Sequence, residues 1–312
     1  MASLKEIKNR IASVKNTLKI TSAMKMVASA KLHKAQTAIG NKIPYEHKLH
    51  GMLSGMLQDD DLQKALRQEL GFGDGDRSPV ELQDTAMDSI PSKDSVSRVA
   101  LVVFSSNSSL IGAFNANVIK KFEETMKLLA GSGYSKADVD IYTVGRKISE
   151  AARRDGYVPF KELPGLSDKP DYAKASDLAS DLVDRFASGE VGQVIMIYNH
   201  FASMSSQPSV RENYLPLALH DYNETPEPVD YILEPDPISL VKELLPLVLN
   251  LKIYTVALDA SAAEHAARTL AMQIASDNAK DLIAELTLAY NKGRQQEITA
   301  EILDLVGGLQ NS

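Results

Sequence analysis

Apolar and polar positions recur along this chain with two periods, helical at both ends and strand-like between them. Residues 260–309 (ASAAEHAARTLAMQIASDNAKDLIAELTLAYNKGRQQEITAEILDLVGGL) contain no proline, and Gly293 is their one glycine before Gly307 and Gly308. Ala, Leu, Glu, Gln and Ile dominate, so intrinsic propensity predicts one long helix, spanning roughly 75 Å at about 1.5 Å per residue. Leu282, Leu286 and Ala289, and then Ile298, Ile302, Leu305 and Leu309, alternate by four and three, the narrow seam of a coiled coil. At the other end Leu4, Ile7, Ile11, Val14 and Leu18 follow the same alternation, and Met24, Val27, Lys31, Ala35 and Ile39 carry a similar stripe onward. Two helices with one apolar seam each are expected to pair antiparallel.

Ser3, with Glu6 three residues on, forms a capping box that starts the first helix. Gly40, Asn41 and Pro44 predict a stop or bend, followed by a weaker helix over residues 45–57. The period changes at residues 98–104 (RVALVVF), a continuous β-branched run that reads as a strand covered on both faces. Helices are predicted over 115–130, 146–154 and 172–188, with further strands over 139–144 and 193–201. That β-α-β-α-β order implies a small, mostly parallel sheet with right-handed crossovers. Residues 210–233 are mixed, with a short edge strand expected at 229–233. The helical period returns from Pro237, where Pro246 predicts a kink or offset. The fold class is therefore α/β: an antiparallel coiled coil of the N- and C-terminal helices plus a small, mostly parallel, Rossmann-like α/β domain. The expected parts are an N-terminal coiled-coil helix (1–57), an acidic insertion (58–97), the α/β domain (98–236) and a C-terminal coiled-coil helix (237–312).

Charge sharpens this division. The net charge of the 312 residues is −7. Residues 1–50 nevertheless hold nine Lys and one Arg against two Glu, whereas residues 58–97 hold eight Asp and two Glu against two Lys and two Arg. The low hydrophobicity and the Gly, Pro and acidic content of 58–97 predict a mobile surface insertion around a helical piece at 62–70. No apolar run approaches the ~20 residues of a bilayer span, and no apolar signal core follows the N-terminus, so a cytoplasmic location is expected. The absence of cysteine removes disulfides, thiolate metal sites and cysteine nucleophiles.

Candidate chemistry is sparse. The loop SSNSSLIGAFN (105–115) follows a strand and precedes a helix, where phosphate loops sit, but it has one glycine and no Walker lysine and reads as a polar turn. His33, His47, His50, His200, His220 and His265 are scattered, and only His47 and His50 lie close together, without a carboxylate constellation. The basic first helix is open to a nucleic-acid reading. Its lysines interleave with the seam and include little Arg, which fits a helix facing an acidic partner at least as well.

The strings LKEIKNRIASVKNTLKITSAMKMVASAKL (4–32) and ASDNAKDLIAELTLAYNKGRQQEITAEILDLVGG (275–308) strongly resemble the two ends of the gamma subunit of F-type ATP synthase, as do EHAARTLAM (264–272) and YNHFASMSSQP (198–208). The resemblance implies a non-catalytic central stalk without a cofactor of its own. Its terminal helices would enter the hexamer of alpha and beta subunits, and its α/β domain would meet the epsilon subunit and the c-ring. Membrane association would come only through those partners, at the cytoplasmic face of a bacterial inner membrane, and nucleic acid would play no part. Ion flow would turn the ring and shaft, driving the beta sites through states of different nucleotide affinity.

Transferred residue by residue, the resemblance places Met24 and Lys25 against the beta-subunit lever, and Arg294, Gln295, Thr299 and Glu301 at positions that couple to the catalytic ring. Tyr198, Asn199, Phe201, Gln207 and Pro208 fall in the loop on the epsilon and c-ring side. The alanine- and serine-rich face at 260–267 and the tip at 306–309 suit a smooth bearing. The chain departs from the family's S-D-R-G-L-C-G-x-F-N loop, of whose end Gly112, Phe114 and Asn115 remain, and its acidic insertion exceeds the common bacterial pattern and lacks the chloroplast cysteine pair.

Overall fold

The computed structural model describes residues 3–56, 80–81, 93, 98–218, 234 and 236–310, with side chains as far as residue 303 in the last helix. In chain order these are helix α1 (Leu4–Met56), strand β1 (Val80–Glu81), β2 (Val99–Phe104), α2 (Phe114–Gly131), β3 (Val139–Val144), α3 (Arg146–Arg154), β4 (Lys161–Glu162), α4 (Pro164–Asp168), α5 (Tyr172–Ala187), β5 (Gln193–Asn199), β6 (Ser209–Leu215), β7 (Leu217–Ala218) and α6 (Pro237–Gln310). The predicted helix at 62–70, most of the acidic insertion, His220 and the edge strand expected at 229–233 lie outside the described residues.

The chain forms two compact units. One comprises residues 1–30 and 268–312, and the other residues 31–267. This division falls inside both long helices and not at their ends.

In the larger unit five strands form a sheet in the order β4-β3-β2-β5-β6, parallel except for β6, which runs antiparallel to β5. Every residue of β2 and β3 is buried, as expected for strands covered on both faces. One face packs Val99, Leu101, Val103, Ile141, Ile195 and Ile197 against α2 and α3, through Val118, Phe122, Leu129 and Ile148. The opposite face packs Val102, Phe104, Tyr142, Met196 and Tyr214 against α5, the end of α1 (Leu49, Leu53) and the start of α6 (Val241, Leu245, Val248, Leu249).

That second face corrects one expectation, the stop at Gly40 and Pro44. Neither Gly40 and Pro44 in α1 nor Pro246 in α6 ends a helix. Burying a large aliphatic side chain is worth about 1.5–3 kcal/mol, so several of them outweigh the roughly 3 kcal/mol that an interior proline costs. By hydropathy alone α6 has a window apolar enough to cross a membrane, contrary to the expectation above. Half of that window is buried inside the protein, as in a core helix. The antiparallel edge strand β6 at Ser209–Leu215 is not among the expected strands; its mixed polarity suits an edge with one covered face.

In the smaller unit α1 and α6 pack antiparallel. Leu4 lies against Gly293, and the Thr21 and Ser276 hydroxyls meet at 2.8 Å; the steps from Leu4 to Thr21 and from Gly293 back to Ser276 are equal, so the pairing has no slip. Burial along α1 recurs at Leu4, Ile7, Ile11, Val14, Leu18, Thr21, Lys25 and Ala28, and along α6 at Thr269, Met272, Ser276, Ala279, Ile283, Leu286, Tyr290 and Gly293. At Val27, Lys31, Leu282 and Ala289 the observed seam is therefore displaced by one position, whereas Met24, Ala35 and Ile39 of the predicted stripe are covered as expected. Val27 is 58% and Leu282 42% exposed, and Lys31 and Ala289 are exposed too. Of the displaced steps, the one at Val27 and Ala28 favours the smaller residue; at the others Leu32, Ile283 and Tyr290 are covered in place of Lys31, Leu282 and Ala289.

Candidate functional site

In a mostly parallel α/β sheet the place to look for a ligand is the crevice at the carboxyl ends of the strands, where the strand order reverses. Here that point lies beside β2. Its exit loop turns inward: Ser105 N donates to Val144 O at 2.7 Å, and Gly145, at φ 108°, sits where any Cβ would fall 2.2 Å from Ser105 O. The loop then caps α3. Asn107 Oδ1 accepts from Arg146 N at 2.8 Å, Ser106 O from Lys147 N at 3.1 Å, and Ser105 Oγ from Ile148 N at 3.0 Å. Asn107 also donates to Pro164 O at 2.8 Å, while Ser106 and Asn115 bond to each other. These loop groups serve other parts of the fold, in keeping with the expected polar turn. Small residues of α6 (Ala257, Ala260, Ser261), together with Phe104, Phe114 and Glu264, line what remains of the crevice.

The loop after β5 is pinned from beneath. Tyr198 OH donates to Glu212 Oε2 at 2.9 Å, and its ring meets Phe104 edge-on. Burial first, and then the Glu212 carboxylate, raise the Tyr198 phenol above its ordinary value. Asn199 is fully buried and donates to Phe114 O at 3.0 Å. Phe201 packs on Ala262 and Ala266 of α6, and its N–H bonds Asp259 Oδ1 at 3.0 Å; His200 Nδ1 lies 2.7 Å from Asp259 Oδ2. Gln207 closes the turn on the carbonyls of Ser203 and Met204, and Pro208 is exposed. Of this predicted set, Tyr198, Asn199 and Phe201 hold the loop, whereas the outward surface is formed by residues 202–206 and Pro208, including Met204 at 43% exposure.

Within the helix-pair unit, Met24 and Lys25 are half-buried. Asp277 is held below the usual carboxylate range, first by Gln273 donating at 2.5 Å, then by Lys280 at 2.9 Å, with the charge of Lys25 adding to both. Around Met24 and Lys25 the side chains of Ile20, Met26 and Val27 are exposed, an apolar group on an otherwise basic helix. At the other end Arg294, Gln295, Thr299 and Glu301 all face outward, and Thr299 Oγ1 donates back to Gln295 O at 2.8 Å. Ile298, Ile302 and Leu303 are 45%, 54% and 64% exposed. This corrects the expectation that Ile298 and Ile302 continue the seam: Leu4 already faces Gly293, so among the described residues α1 has nothing left to offer them. Leu305 and the tip at 306–309 lie outside the described side chains.

His33 is exposed and His265 buried; the side chains of His47 and His50 lie outside the described set. Among the described residues no group of three or more His, Asp or Glu is placed to hold a metal. Two charged clusters escaped the sequence reading. At the amino ends of the strands Asp140 accepts from Arg98 and, at 2.6 Å, from Arg185, which also donates to Tyr142 OH at 2.7 Å. Burial pushes the Tyr142 phenol up to about 12 despite the Arg185 bond. The second cluster joins Lys252 of α6 to Glu212 of β6 and Glu46 of α1. Its sequence signal was a lone lysine inside the apolar run LPLVLNLKIYTVAL.

The family model described as ATP synthase matches residues 3–311. The chain is 48% identical over 320 aligned residues to the ATP synthase gamma chain of Bacteroides thetaiotaomicron, and 49% identical over 312 to that of Bacteroides fragilis, with 99% of each chain covered in both cases. Among solved structures it resembles a chain of the Euglena gracilis mitochondrial ATP synthase (TM-score 0.61, 18% identity, 98% of this chain and 93% of that one). It also resembles a chain of the Tetrahymena thermophila enzyme's central stalk and c-ring (TM-score 0.54, 21% identity, 82% and 99%). At such identities these two show a shared fold.

Proposed function

Because this chain belongs to the ATP synthase gamma-chain family, we propose that it works as the central rotor of a bacterial F-type enzyme, peripheral to the cytoplasmic face of the membrane and not itself catalytic. The observation that carries this reading is the match to gamma chains along the whole of both sequences. In it, the alpha and beta subunits surround the paired helices, the α/β unit meets the epsilon subunit and the c-ring, and nucleotide turns over on the hexamer.

Two features of the geometry support the division of labour. The crevice where an α/β sheet would take a nucleotide is lined by the chain's own α6, and the loop that would cradle phosphate caps α3 instead. Conversely, Ile298, Ile302 and Leu303 form an apolar helix end without a partner among the described residues, matching a segment held inside a ring of other subunits. Arg294, Gln295, Thr299 and Glu301 share that end, and Met24 and Lys25 sit beside exposed Ile20, Met26 and Val27, so both groups are proposed to contact the hexamer. A rotor must meet each beta subunit in turn at similar free energy, which favours shallow apolar and long-range charged contacts over a deep interlock.

Reconstitution with alpha and beta subunits, with a bead fixed to the α/β unit, tests the proposal. Stepwise rotation on adding ATP is the expected result, together with no ATP hydrolysis by the chain alone. Failure to assemble, or hydrolysis by the isolated chain, would reverse the reading.

A further inference from the structure

Within the larger unit, α1 and α6 grip the sheet through an apolar core and a few polar contacts among the described residues. The covalent routes are indirect, since α1 ends at Met56 with β2 starting at Val99, and β7 ends at Ala218 with α6 starting at Pro237. Lateral contacts hold helices and sheet together across the described residues. Most of them are apolar, through Leu49, Leu53, Val241, Leu245 and Val248. Such contacts are non-directional and oppose separation more than rolling or sliding.

Polar attachments among the described residues differ in kind: beside the neutral bond from Tyr214 OH of β6 to Leu249 O of α6 at 3.2 Å, charged ones hold α6 at two further points. Lys252 Nζ lies 2.6 Å from Glu212 Oε1 on β6 and 3.9 Å from Glu46 Oε1 on α1. All three side chains are largely buried, at 18%, 15% and 7% exposure. The other oxygen of Glu212 accepts from Tyr198 OH on β5, so one ammonium ties two helices to two strands. About two turns further along α6, Asp259 holds the backbone N–H of Phe201 and the His200 ring just beyond β5. The 2.6 Å Lys252–Glu212 contact and the bond from Phe201 N–H to Asp259 are short and directional, whereas Glu46 at 3.9 Å holds Lys252 by charge alone, which low exposure leaves weakly screened.

We propose that Lys252, clamped between Glu212 and Glu46, is a positioning residue that locks α6 and α1 to the sheet against rotation, so that torque reaching the α/β unit passes into the helices. This rests on the rotor reading above. Asp259 supplies the second point of the lock, since a single attachment can act as a pivot and two spaced along a helix cannot.

The test uses the whole ATP synthase assembled around the chain in inverted membrane vesicles, recording ATP hydrolysis and, with an oxonol dye, the ATP-driven membrane potential. K252M keeps the packing of the aliphatic stem and removes the charge. It is expected to hydrolyse ATP at the wild-type rate while losing most of the potential, because helices turning inside the hexamer no longer drag the α/β unit with them. K252R restores the potential, and E212Q, which keeps the shape and an acceptor for Tyr198, reproduces the loss. Wild-type pumping per ATP in both K252M and E212Q would overturn the proposal. So would a parallel fall of hydrolysis and pumping in E212Q, which would reduce the cluster to a folding role. A wild-type complex that hydrolyses ATP but never builds a potential would instead sink the rotor reading itself.

Discussion

The α/β unit buries side chains of every size completely, Tyr142, Tyr214, Phe104 and Phe122 among them, whereas the helix-pair unit closes on Thr21, Ala28, Ser276 and Ala279 and leaves Ile7, Ile11 and Val14 half-open. The first arrangement is a core in its own right. The second is a seam between two helices, each of which has one covered side, and isolated helices draw most of their stability from such cover. The contrast matches the proposed division of labour: one unit must hold its shape under load, while the other gains its remaining contacts from the subunits around it.

The largest expected effect tests the self-sufficiency of the α/β unit. Phe122→Ala removes a fully buried ring between α2 and the sheet and is expected to cost about 3–5 kcal/mol in urea unfolding. Leaving Ile11→Ala, on the half-open seam, with an equal loss would erase the distinction between the units.

Alkali should act on the same core. The Tyr142 phenol ordinarily titrates at 10.0 and is pushed up to about 12 in the folded chain, so the folded state keeps a proton that the unfolded state has lost. The stability this contributes is fully present below pH 10 and disappears as the pH rises towards 12. Urea midpoints across that window should fall, and fall less steeply in Tyr142→Phe; identical slopes would remove Tyr142 from the account.

In the seam, Thr21→Val strands the Ser276 hydroxyl and should cost roughly 1–2 kcal/mol, with much of that recovered in the double variant carrying Ser276→Ala. Strict additivity in that cycle would mean that the buried pair is incidental. The smallest effect on stability is expected at the open end of α6. Ile302→Asn should leave the isolated chain within about 0.5 kcal/mol of the wild type while weakening assembly or rotation with alpha and beta subunits. A large loss of stability in the chain alone would show that the exposed side chain has an internal partner.

The sequence by itself determined the fold class and most of the elements, because they rest on local periodicity. RVALVVF read as a strand covered on both faces and the runs around Ile141 and Ile195 as strands, and the helices over 115–130, 146–154 and 172–188 reappear to within a residue or two at their ends. It also carried the resemblance that names the family, written in strings at both termini. What it did not determine was which of two adjacent stripes would face the partner helix, since neighbouring positions on both helices carry apolar side chains. A hydrophobicity count prefers Val27 to Ala28, and close packing prefers the reverse. Nor could local signals show that Pro44 and Pro246 would be carried through by the sheet beneath them, or that Lys252 would meet Glu46 and Glu212 from distant parts of the chain. Those outcomes belong to the tertiary structure, because burial and ion pairing are set by residues far apart in sequence, and the burial energy exceeds the local proline cost it overrides.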